Sequence, residues 1–72
     1  MNIQKALKIY MDNNGIKLTW VVKKIKELDP LINFNIQKLS LSLLEKRTLS
    51  VDELTYICRV LHIEPNTLME TA

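Results

Sequence analysis

The stretch NIQKLSLSLLEKRTLS, Asn35 to Ser50, decides the fold of this chain. Its middle, Leu39-Ser40-Leu41-Ser42-Leu43, alternates apolar and polar residues as a half-buried strand does. Its edges carry helix punctuation instead. Asn35 is a good N-cap, and Phe34 and Leu39 occupy the two positions of a hydrophobic staple. At 100° per residue Ile36, Leu39 and Leu43 share one side, with Leu41 and Leu44 extending that arc, while Lys38, Ser42, Glu45 and Lys46 fill the opposite quarter. A strand needs a partner strand, and the chain holds no second alternating segment of comparable length. The stretch is therefore expected to form a helix.

Outward from it, the chain reads as four more helices. Ile3 to Asn13 sets Ile3, Ala6, Leu7, Tyr10 and Met11 at helical spacing, with Asn2 as a cap and Asn13-Asn14-Gly15 as its end. Leu18 to Glu27 keeps Leu18, Val21, Val22 and Ile25 on one side and Lys23, Lys24 and Lys26 on the other, and stops near Asp29-Pro30. Residues 29–34 form an irregular or one-turn connection. Ser50-Val51-Asp52-Glu53 is a capping box that opens a helix carrying Leu54, Ile57, Cys58 and Leu61, with Arg59 and His62 near its end. A short helix begins at Glu64-Pro65 and docks Leu68 and Met69 on the core.

At 72 residues and 47% hydrophobic content, one small domain with one core is expected. No apolar run approaches the length of a membrane span, and no secretory leader is visible, so a cytoplasmic protein with no membrane partner is the expectation. Cys58 is the only cysteine and His62 the only histidine, which leaves no disulfide and too few ligands for a zinc site. Cys58 reads as a small buried hydrophobe. No nucleophile–base pair, Gly-rich phosphate loop or cofactor motif is visible, so an enzyme is not expected. The charge is uneven: residues 1–47 carry +5 and residues 48–72 carry −3, within a net +2. That asymmetry suits a face meeting a polyanion, or is a solvated surface with no such task.

Two stretches resemble the Cro/repressor (Xre-like) helix-turn-helix domains. GIKLTWVVKKI (Gly15 to Ile25) is similar to the family's second helix, with Val21-Val22 in place of its Leu-Ala pair, and LSLLEKRTLSVDELTYICRVLHIEPNTLM (Leu41 to Met69) to the end of the recognition helix, its turn and helices four and five. The resemblance implies a compact all-α five-helix bundle, a lambda-repressor-like domain that binds double-stranded operator DNA, often as a homodimer, in phage, plasmid or bacterial regulators. The chain departs from the family in three ways. The connection between helices two and three is longer, the turn after the recognition helix lacks the usual glycine, and Val22 replaces a small residue where those helices cross.

A DNA-binding site needs phosphate contacts for affinity and base-edge contacts for readout. For phosphates, the second helix offers its free N-terminal N–H groups with Lys17, Thr19 and Trp20 beside them, and Lys46 and Arg47 follow the third helix. Trp20 is equally a partly buried packing residue, and Lys46-Arg47 equally a charge pair on the helix dipole. For bases, the third helix offers Asn35, Gln37, Lys38 and Ser42, with Gln37 suited to adenine and Lys38 to guanine; for Asn35 the capping role is favoured. One conflict stands. Aligning Ser42 and Glu45 with the family's Ser-x-x-Glu turns Ile36, Leu41 and Leu44 inward and Leu39 and Leu43 outward. The helical wheel buries Leu39 and Leu43, and a two-residue shift of the alignment buries Ser42.

Two function classes follow. The first is a sequence-specific DNA-binding transcriptional regulator that occludes or modulates a promoter. The alternative is an antirepressor or small inhibitor that uses the same scaffold to grip a host or phage regulatory protein, with Leu39 and Leu43 as an exposed patch. The outward flank of the third helix separates them: a hydrophilic, cationic flank suits a duplex, a greasy one a protein.

Overall fold

A computed structural model describes residues 3–71, with side chains described through Leu68. Among them are five helices and no strand: α1 (Ile3–Asn13), α2 (Leu18–Leu28), α3 (Ile36–Leu43), α4 (Val51–Leu61) and α5 (Pro65–Thr71). None is long and apolar enough to cross a membrane. The Asn35 carboxamide caps α3, its Oδ1 accepting the Lys38 N–H at 2.8 Å. The capping box of α4 is complete: the Ser50 hydroxyl accepts from the Glu53 N–H at 3.1 Å, and the Glu53 carboxylate accepts from the Ser50 N–H at 2.9 Å. The expected cap by Asn2 and the docking of the Met69 side chain lie outside the described residues.

The alternation in Leu39–Leu43 is therefore local composition on a helix rather than a strand. Leu39 and Leu43 both turn into the core with Phe34, and Ser42 between them is fully buried. The helices pack in four pairs, α1 on α3 and α5, and α2 on α3 and α4. Leu7, Met11, Val21, Ile25, Leu39, Ile57 and Leu68 meet at the centre, and Cys58 joins them as a small hydrophobe whose thiol burial pushes to higher pKa. Val22 is accommodated in the same core.

Three helices end in the same way. After α1 the Ile16 N–H donates to the Met11 carbonyl and the Gly15 N–H to Asp12; after α3, Lys46 donates to Leu41 and Glu45 to Ser42; after α4, Ile63 donates to Cys58 and His62 to Arg59. These are Schellman pairs, and each needs a left-handed residue at its apex. Gly15 (φ 62°) takes that conformation freely, but Glu45 (φ 63°) and His62 (φ 57°) take it against the Cβ clash. Glu45 thus sits, in the turn noted for lacking a glycine, where glycine is favoured. It also sets a carboxylate at the negative end of α3. Glu45→Gly is expected to raise stability by about 1 kcal/mol, read as a shift of the urea midpoint at unchanged slope.

The long connection is ordered. Asp29 ends α2, its carbonyl accepts the Ile32 N–H in a turn, and its carboxylate accepts from the Leu31 N–H at 3.2 Å and the Tyr56 hydroxyl at 3.1 Å. Residues 30–31 make a turn rather than a helical one. The Tyr56 bond pins the connection to α4, and Phe34 at its end is buried.

Candidate functional site

Rotation of α3 decides what the site contains. Burial of Leu39, Ser42 and Leu43 points the opposite side of the helix to solvent. That flank carries Leu44 (52% exposed), Gln37, Ser40 and Leu41, which is half-buried but outside the core cluster; Lys38 and Glu45 border it on one side, and Ile36 (44% exposed), in the first turn of α3, on the other. The centre of the flank is largely apolar, with Lys38 and Glu45 at its margin, contrary to a cationic face. The alignment that turned Ile36, Leu41 and Leu44 inward does not hold.

Several expected roles are corrected. Leu39 and Leu43 are core residues, so they form no exposed protein-binding patch. Ser42 does not lie on the outward stripe. At 0% exposure its hydroxyl donates to the Lys38 carbonyl at 2.8 Å and accepts from Arg47 Nη1 at 3.2 Å, which satisfies it in the core. Arg47 is engaged within the protein rather than standing free at the turn. Its guanidinium forks onto the Glu53 carboxylate at 2.9 and 2.7 Å and lies 5.9 Å over the Phe34 ring. Lys38 is half-buried and its ammonium donates to the Asn33 carbonyl at 2.9 Å. Asn35 is exposed but occupied as the cap of α3.

The remaining candidates, Lys17, Thr19, Trp20, Gln37 and Lys46, are exposed. Lys17 is the N-cap residue of α2 and provides no side-chain cap, unlike Asn35 and Ser50 in α3 and α4, so the first N–H groups of α2 have no side-chain oxygen from it. Trp20 is 43% exposed and lines a groove with Gly15, Ile16 and Lys17, and the Lys24 ammonium stands 5.9 Å over its ring. A cleft of about 210 Å³ runs between α1, the start of α2 and the end of α3, lined by Lys8, Met11 and Asp12, by Ile16 and Leu18, and by Ser40, Leu43 and Leu44. Lys17, Thr19 and Trp20 do not line this cleft, and Lys46 follows the end of α3.

At the end of α3 runs a polar network that composition did not reveal. Gln4, on the buried side of α1, donates to the Ser42 carbonyl at 2.6 Å and the Arg47 carbonyl at 2.8 Å, and accepts from the Leu49 N–H at 2.9 Å. One carboxamide thus ties α1 to both ends of the α3–α4 turn. The spacing Gln4, Leu7, Met11 carries the signal, since it sets Gln4 on the apolar stripe of α1. Glu53 closes the network with two roles at once, capping α4 and pairing with Arg47. The Arg47 guanidinium, opposed by burial and helped by the Ser50 N–H, holds the Glu53 carboxyl below the usual carboxylate range.

Compared with family models, with curated proteins and with solved structures, the chain matches none.

Proposed function

We propose that this chain is a DNA-binding transcriptional regulator of the Cro/repressor type, a lambda-repressor-like domain in which α2 and α3 form the helix-turn-helix unit. What supports this is the packing of α2 on α3, as consecutive helices of one unit, with Lys17, Thr19 and Trp20 exposed at the side-chain-uncapped start of α2 and Lys46 exposed just after α3. On this reading α3 lies in the major groove, and the α2 N–H groups, the Lys17 ammonium, the Thr19 hydroxyl and the Trp20 indole N–H meet phosphate. Lys46 meets a second phosphate. Because the centre of the α3 flank is largely apolar, affinity comes from these backbone contacts and specificity from shape and base edges. Promoter occlusion is the regulatory consequence.

The largely apolar flank of α3 counts against this reading and for a second one, by the criterion that a greasy flank suits a protein. Ile36, Leu41 and Leu44 suit a protein partner, so an antirepressor or small inhibitor gripping with α3 is the alternative. Selection from random duplexes discriminates the two. Expected is an enriched motif whose binding weakens steeply with salt, and a Lys17→Ala variant that loses affinity on every sequence while the log–log salt slope falls by about one. No enriched motif and no salt-sensitive shift, together with a stoichiometric protein partner, would replace the regulator with the inhibitor.

A further inference from the structure

The outward flank of α3 has a chemistry that selects among base pairs. Guanine is most often read by an arginine or lysine fork onto its O6 and N7 acceptors. Here neither nearby cation takes that position: the Lys38 ammonium bonds the Asn33 carbonyl and the Arg47 guanidinium is forked onto Glu53. What α3 turns outward is one carboxamide, Gln37, one hydroxyl, Ser40, and the apolar side chains Ile36, Leu41 and Leu44. A carboxamide matches the N6 donor and N7 acceptor of adenine, and the one apolar group on a major-groove base edge is the thymine 5-methyl. An apolar side chain leaves the polar edge atoms of either base pair without a partner, and only an A·T pair offers it a methyl group in return. Exposed ammonium groups stand at the start of α2, on Lys17, and just after α3, on Lys46.

We infer that α3 reads A·T base pairs, Gln37 bonding an adenine edge while Ile36, Leu41 and Leu44 pack on thymine methyl groups. This rests on the DNA-binding reading above and names the class of sequence it recognises.

The test uses the full chain and duplexes selected from a random pool. The enriched core is expected to be dominated by A·T pairs. Replacing core thymines by uracil removes the methyl group and leaves every hydrogen bond, so binding by the unaltered protein is expected to weaken about fourfold for each contacted methyl. In a Leu41→Ala variant, checked for folding by its circular dichroism and melting, the uracil penalty at one position is expected to vanish. A G·C-rich core, or a core of thymines that tolerates uracil without loss, overturns the inference while leaving DNA binding intact. Failure to bind any duplex in a salt-sensitive way removes the DNA reading itself, and the inference with it.

Discussion

Truncating Leu39 to alanine is expected to cost about 3–4 kcal/mol of folding stability, whereas Leu44→Ala, in the same helix, should change it by less than about 0.5 kcal/mol. The contrast follows from the rotation of α3. Leu39 has no solvent exposure and stands among Leu7, Met11, Ile25 and Ile57, where removal of its branched end leaves a cavity that a small, five-helix core cannot refill. Leu44 is half in water already. Because a domain of this size has only several kcal/mol of stability, Leu39→Ala should be partly unfolded near body temperature. Urea denaturation followed by circular dichroism measures both variants. Equal losses in the two would mean that α3 is turned differently about its axis, and the proposed groove-facing flank would go with it.

Breaking the Arg47–Glu53 pair is expected to have the next largest effect. The Glu53 side chain is only 11% exposed and that of Arg47 27%, so Arg47→Met strands a carboxylate close to the core and removes the donor to Ser42 as well. A loss of about 2–3 kcal/mol is expected. Glu53→Gln should cost less, because a glutamine oxygen still accepts the Ser50 N–H, and its use lies in the pH dependence. The folded Glu53 carboxyl titrates below its unfolded value, so its contribution is fully present above about pH 4.5 and is lost as pH falls through the folded value. The unaltered protein should therefore lose stability on acidification below about pH 4.5 more steeply than Glu53→Gln, and the two should converge once the pH has fallen through the folded Glu53 value. Parallel curves would show that the pair does not couple proton binding to folding.

Both effects bear on function through one route. Ser42, Arg47 and Glu53, with Gln4 across from them, fix the end of α3 and the turn that carries Lys46. Variants in this network should weaken any ligand of α3 by loosening its pose, without touching the ligand themselves. Glu45→Gly differs, since it relaxes the same turn without removing a contact and also takes a carboxylate away from the proposed phosphate side.

What the sequence alone determined was local. Helix existence and ends follow from spacing of four residues or fewer: the Asn35 cap, the Ser50–Glu53 box, the Gly15 stop and the break before Pro30 are all legible without a fold. The burial of Leu39 and Leu43 was legible too, from the wheel. The tertiary structure decided the rest. Whether Ile36, Leu41 and Leu44 are core or surface depends on how far α3 is turned about its axis, because an apolar arc that wide fits more than one rotation. That choice is made where Gln4 reaches residues 38 and 45 positions away and where Arg47 finds Glu53. Ser42 could be buried only because those partners satisfy its hydroxyl and its carbonyl, and no pattern within one helix can announce a partner that another helix supplies.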